Sequence, residues 1–93
     1  MSIPTVAAVM EFDPTLPKWT QIAQVIRQRI AAGKYLPNHL ISETQLEQEF
    51  EVARVTVRKA TRALREEGLI VTTHGMGSFV TERAAEIVKS STD

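Results

Sequence analysis

Only three residues, Glu51-Val52-Ala53, separate a helical pattern ending near Phe50 from another that begins at Arg54. Two helices joined by so short a turn must cross steeply, which is the helix-turn-helix arrangement. The helix before the turn opens with Ser42 three residues ahead of Gln45, a capping-box pattern. Ile41 with Leu46 fits the accompanying hydrophobic staple, and Leu46 and Phe50 face the core together. The helix after the turn runs from about Arg54 to Glu67. At about 100° per residue, Ala53, Val57, Ala60 and Leu64 share one narrow arc. Arg54, Arg58, Lys59, Arg62 and Arg65 share a different arc beside it. Gly68 ends this helix, and Leu69 is placed to touch Leu64 in a Schellman-type cap.

The flanking segments extend the pattern. Pro14 and Pro17 bracket the entry to a first helix that reaches about Ala32. Its apolar residues Trp19, Ile22, Ala23, Ile26 and Ile30 form one stripe at helical spacing, and Gly33 follows where a left-handed cap is wanted. Pro37-Asn38 signals a turn, and a short extended piece at 39–41 is free to pair with a later sheet; His39 reads as a loop residue. After Gly68 come two β-prone runs, 69–73 and 78–82, joined by His74-Gly75-Met76-Gly77 at a tight hairpin tip. The expected fold is therefore mainly α with a small β-hairpin: a winged helix-turn-helix of three helices plus a two- to three-stranded wing. Residues 14–82 form this domain, 1–13 are expected to be a flexible arm, and 83–93 a flexible or weakly helical tail.

Composition narrows the function classes. Ninety-three residues, 43% of them hydrophobic, suffice for one domain with a modest core. No cysteine is present, which excludes disulfides, thiolate zinc sites and cysteine nucleophiles and fits a reducing, cytoplasmic setting. No apolar run is long enough to span a membrane, and the N-terminus lacks the basic flank of a signal peptide. The net charge of zero argues against nucleic acid only until its distribution is read. Residues 43–51 carry four glutamates and no basic residue, whereas 54–65 carry five basic residues and no acid. A phosphate backbone meets local charge rather than the total.

An α-helix fits the major groove, and arginine donates two hydrogen bonds to guanine O6 and N7. Residues near the helix N-terminus reach deepest, which makes Arg54, Val55 and Arg58 the candidates for base reading. Thr56 lies on another side, placed either to bond a phosphate or to pack near the core. Lys59, Arg62 and Arg65 either hold phosphates or are solvated and paired with Glu66 or Glu67. The N-terminus of the preceding helix is a natural phosphate site, with Ser42 as its cap and Thr44 pointing outward. His74, Gly75 and Met76 form a wing tip able to approach a minor groove, or else a plain hairpin turn.

Enzymatic chemistry has little support. No nucleophile–base spacing and no metal-ligand pattern appears, so no cofactor or metal is expected. Glu43 and Glu47 share a helix face, but carboxylates in a first turn commonly serve the helix dipole. Gly75-x-Gly77 lies between strands rather than opening a helix, unlike a phosphate-cradling loop.

From Trp19 to Val80 the chain resembles the N-terminal DNA-binding domain of the GntR family of bacterial transcriptional regulators. The likeness is an ordered string: Gln21-Ile22, Gly33-Lys34-Tyr35-Leu36-Pro37, Ser42-Glu43 with Leu46, and Val52-x-Arg54-x-Thr56-Val57-Arg58-Lys59-Ala60. Ala63-Leu64, Glu67-Gly68-Leu69-Ile70 and Gly75-Met76-Gly77-Ser78-Phe79-Val80 complete it. The resemblance implies a palindromic double-stranded operator bound by a homodimer. It also implies base contacts at Arg54 and Arg58, a backbone contact at Thr56, and entry of His74-Gly75 into the minor groove.

Several positions depart from that pattern. The family usually has arginine at Thr44, glycine at Glu51, serine or threonine at Ala53, and often a basic residue at Thr73. These changes point to weaker or differently specific binding. Family members usually carry a C-terminal effector-binding domain, and only about ten residues follow the wing here, so no such domain is expected in this chain. It is then either part of a longer regulator or a domain that dimerises weakly, on DNA or through a partner. The leading expectation is a sequence-specific transcriptional regulator, more often a repressor in this family. The competing readings are a plasmid or phage accessory factor for recombination or partition, and a winged helix used only for protein contact.

Overall fold

The structure is a computed structural model that describes residues 11–90. The chain order is α1 (Lys18–Ala31), β1 (Leu40–Ile41), α2 (Glu43–Phe50), α3 (Arg54–Glu66), β2 (Ile70–Thr73), β3 (Gly77–Val80) and α4 (Ala84–Ser90). The three strands form one antiparallel sheet in the order β1-β3-β2. Leu40 pairs with Phe79, and Val71 pairs with Phe79 from the other side, so the short piece before α2 is the third strand of the wing.

The local signals act where the sequence places them. Ser42 Oγ accepts from the Gln45 backbone N–H at 3.2 Å and caps α2, with Ile41 and Leu46 both buried beside it. At the end of α3, Gly68 takes φ +85°, a left-handed conformation that suits a residue without Cβ. The Leu69 N–H then reaches Leu64 O at 3.0 Å and the Gly68 N–H reaches Arg65 O at 3.0 Å, which completes a Schellman cap.

Ile22, Ala23, Ile26 and Ile30 of α1 are buried against Val57, Ala60 and Leu64 of α3, with Leu46, Phe50, Leu69, Ile70 and Val80 closing the core. The buried arc of α3 differs from the sequence expectation at two positions. Ala53 is exposed because it is the N-cap, with extended backbone, and lies outside the helical turn. Thr61 is buried in its place; its hydroxyl donates to Arg58 O at 3.1 Å, which removes the cost of an unpaired buried polar group.

Ordered contacts are present among the described residues on both sides of this core. Residues 84–90, expected to be flexible or weakly helical, form α4, which packs on α1 and buries Ala84 and Val88. Ala84 and Val88, four apart, carry that docking with the partly buried Ala85 and Ile87 beside them, a pattern too short to stand out as helical periodicity. At the other end, residues 1–10 of the expected arm, like 91–93 of the tail, lie outside the described residues. Residues 11–13, however, are fastened. The Phe12 ring meets Phe50 at 6.4 Å between centroids, and Gln21 both accepts from the Asp13 N–H and donates to Asp13 O, each at 2.9 Å.

Candidate nucleic-acid interface

The N-terminus of α2, the first residue of α3 and the two wing strands converge on one open cleft of about 330 Å³. Its walls include Thr44 and Glu43 from α2, Arg54 from α3, and Thr72 and Ser78 from β2 and β3. The helix-turn-helix puts Thr44 and Arg54 side by side although ten positions separate them, because the tight turn folds α2 against the start of α3. Val55, the residue after Arg54, is 61% exposed, a position where an apolar side chain gains little from the fold itself. The wing tip projects farther out: Met76 is 68% exposed, His74 and Gly75 are exposed, and the Met76 N–H closes the turn onto Thr73 O at 2.9 Å.

The basic arc of α3 is divided by its surroundings. Arg54 and Arg65 lie on the wing side. Lys59 and Arg62 instead line a second groove of about 320 Å³ with Trp19 of α1, Ala63 and Glu66. The structure therefore groups Arg54 and Thr44 with the wing and places Lys59 and Arg62 toward α1. Thr56 is half-buried at the flank of the helix, and Ser42 is half-buried and occupied with its cap.

Pairing of these cations follows a rule that the helix sequence alone does not show. Glu66 and Glu67 do not hold Lys59, Arg62 or Arg65, the alternative raised by their proximity in sequence. Glu67 faces α1 and forms a two-point ion pair with Arg27. Arg65 donates from Nη1 to Thr72 Oγ1 at 3.1 Å and so ties α3 to the wing. Arg54 Nε lies 2.6 Å from Glu47 Oε2, and Arg58 Nε lies 3.4 Å from Glu43 Oε1. The Glu47 bond raises the pKa of the Arg54 guanidinium above its ordinary value. Lys59 and Arg62 make no salt bridge among the described residues.

Two acids of the 43–51 block, Glu43 and Glu47, thus face two cations of the 54–65 block, Arg58 and Arg54. Glu43, Glu47, Thr72 and Ser78 are the residues of this surface that sequence reasoning passed over as site members. A signal existed for Glu47: it precedes Arg54 by seven positions across a turn, which brings the two helices side by side.

A family model described as "Bacterial regulatory proteins, gntR family" matches residues 18–80. The chain belongs to the GntR family. Among GntR-type relatives, the mannosyl-D-glycerate transport/metabolism system repressor MngR of Escherichia coli K12 is 42% identical over 67 residues, covering 71% of this chain and 28% of that protein. The histidine utilization repressor of Pseudomonas putida is 37% identical over 67 residues, covering 71% and 27%. The chain thus spans just over a quarter of the length of these two repressors. In structure, a GntR family transcriptional regulator from Listeria monocytogenes superposes with a TM-score of 0.80 at 30% identity, over 87% of this chain and 74% of that one. AraR(DBD) in complex with operator ORX1 superposes with a TM-score of 0.72 at 38% identity, over 80% and 95%. The fold is therefore the winged helix-turn-helix of GntR-family DNA-binding domains.

Proposed function

We propose that this chain binds double-stranded DNA sequence-specifically and acts as a transcriptional repressor in the bacterial cytoplasm. The carrying observation is the shared cleft that brings Thr44, Arg54 and the wing strands to one side of the molecule, next to the exposed Val55 and Arg58. In this reading α3 enters the major groove, where Arg54 and Arg58 read base edges and Val55 offers an apolar contact, for example to a thymine methyl. The α2 N-terminus, with Ser42 and Thr44, and the flank residues Thr56, Lys59 and Arg62 meet phosphates. His74, Gly75 and Met76 lie along the minor groove. The operator is a palindrome bound by two copies, whose half-sites match the two-fold symmetry of the pair. Support comes from family membership, from relatives named as repressors, and from the fold shared with AraR(DBD) in its operator complex.

The test is selection of bound sequences from random duplexes, followed by titration of the selected site with the mass of the complex measured. Arg54→Ala and Arg58→Ala should each weaken the selected site about five- to hundredfold and relax preference at one base pair per half-site. Lys59→Ala should weaken all sequences evenly. The slope of log K against log salt should lie near −0.9 per phosphate neutralised. An Arg54→Ala variant with undiminished operator affinity at physiological salt would sink the assignment of α3 as the reading helix.

A further inference from the structure

Arg54 is held by one bond of a particular kind. Glu47 Oε2 meets its Nε at 2.6 Å, a short charge-assisted contact, and Glu47 is only 24% exposed against 52% for Arg54. The acceptor thus sits on the protein side and the guanidinium on the solvent side. Among the described residues, Nη1 and Nη2 of Arg54 have no hydrogen-bond acceptor, so the end-on fork that matches guanine O6 and N7 is left open. Arg58 repeats the arrangement more loosely, again through Nε, with Glu43 at 3.4 Å.

We infer that Glu47 is a positioning residue for sequence reading: it buttresses Arg54 through Nε and aims the Nη fork at a guanine. This rests on the reading of α3 given above and goes beyond it, because it assigns specificity to an acid in α2 with no base contact of its own. Two physical consequences follow. An unbuttressed arginine must give up rotamer freedom when it binds, whereas one already pinned has lost much of it beforehand. The carboxylate behind the guanidinium also lowers the local positive potential, which weakens attraction to any phosphate backbone. The first effect widens the gap between the cognate site and other sequences, and the second lowers affinity for all sequences together and leaves that gap unchanged.

The experiment compares the wild-type chain with Arg54→Ala, Glu47→Ala and Glu47→Gln. Each is put through selection from random duplexes and then competition titration against single base-pair variants of the selected site. Arg54→Ala marks the base pair that Arg54 reads. Glu47→Ala should cut discrimination at that same base pair by about fivefold or more while leaving the other positions intact, and should raise affinity for random duplex a few-fold. Glu47→Gln retains an acceptor for Nε without the charge. It should keep the base preference yet bind random duplex as tightly as the alanine variant. Full discrimination in Glu47→Ala, an even loss across all base pairs, or a Gln variant as indiscriminate as Ala each overturns the assignment. If Arg54→Ala flattens no position, the base-reading role of α3 fails with it; if only the Glu47 variants behave otherwise, the buttress alone fails.

Discussion

Arg65 in α3 donates from Nη1 to Oγ1 of Thr72 in β2 at 3.1 Å, and the same Thr72 hydroxyl shares a 2.9 Å hydrogen bond with Ser78 Oγ in β3. One small hydroxyl therefore links the end of α3 to both strands of the wing. Thr72→Val keeps the β-branched shape that suits a strand but removes this link. Because the network is exposed, global stability should fall by no more than about 1 kcal/mol, read from urea unfolding. Operator binding should weaken several-fold through a faster off-rate, since the wing is no longer oriented relative to α3. Unchanged dissociation kinetics would show that the strand pairing alone orients the wing.

Arg29 ties α1 to α2 at several points. It forms a two-point ion pair with Glu49, donates to the Tyr35 hydroxyl at 2.7 Å, and lies over the rings of Tyr35 and Phe50 at 5.6 and 5.7 Å. Arg29→Ala should cost roughly 1–2 kcal/mol, much of it lost packing of the side-chain stem on the two rings. The Glu49 bond raises the Arg29 pKa above its ordinary value. A cation whose folded pKa is raised contributes stability that is fully present below its unfolded pKa and is lost only as pH rises through the folded one. Its contribution should therefore be flat from pH 5 to 9, whereas added salt should weaken the ion-pair part. Chemical denaturation of wild type and variant at two pH values and two salt concentrations checks both statements.

The helix-turn-helix and its wing were legible because each boundary has a local chemical cause: Ser42 at one cap, Gly68 at another, a two-glycine hairpin tip between β2 and β3. The fourth helix was not, because its two buried residues, Ala84 and Val88, give a signal only when α1 is there to receive them. Candidate site residues followed from the exposed arc of α3, but their partners did not. The pairing of Arg54 with Glu47 rather than with a neighbour on its own helix depends on the crossing of α2 and α3, which residue spacing along one helix does not encode. Likewise Asp13 and Gln21 face each other only because the chain doubles back before Pro17.

Asp13 carries a pH signature of its own. Thr15 Oγ1 donates to Asp13 Oδ1 at 2.7 Å and the Thr15 N–H donates to the same atom at 2.9 Å, holding the carboxyl below its usual value. A carboxylate with a lowered folded pKa contributes stability that is present above its unfolded value, near pH 4, and lost as pH falls through the folded one. Thr15→Ala removes the hydroxyl, the larger of the two causes, and should bring the Asp13 carboxyl back toward its ordinary range. Titration of the Asp13 side chain by NMR reads this directly, and an unmoved Asp13 in Thr15→Ala would assign the shift to the backbone bond alone.

Ala53 is the N-cap of α3, with φ −72° and ψ 158°, and it supplies no side-chain acceptor to the first turn. Those angles are the extended ones that a capping serine adopts, so Ala53→Ser needs no backbone change to reach the Val55 or Thr56 N–H. The substitution should add about 1 kcal/mol of stability. Its effect on DNA is the sharper measurement. A firmer first turn holds Arg54, the adjacent residue, and should lengthen residence on the selected site without altering which bases are preferred. A gain in Tm with no change in residence time would separate capping from presentation of Arg54.

Glu51 closes α2 in the left-handed region, with φ 55° and ψ 50°. For a residue with Cβ this conformation costs roughly 1–2 kcal/mol, because Cβ crowds a carbonyl oxygen. Glycine removes that cost but loses more backbone freedom on folding, an offset of about 0.4–1 kcal/mol. The side chain of Glu51 is exposed and sits in no salt bridge among the described residues, so its removal subtracts little else. Glu51→Gly should therefore stabilise the fold by roughly 0.5–1 kcal/mol. It also deletes a negative charge beside the turn that leads into α3, so affinity for random duplex should rise a few-fold and fall back toward wild type as salt is added. Glu51→Gln separates the two effects: it should reproduce the gain in DNA affinity without the gain in stability. A Gln variant as stable as the Gly variant would mean that charge, not backbone strain, sets the cost of this turn.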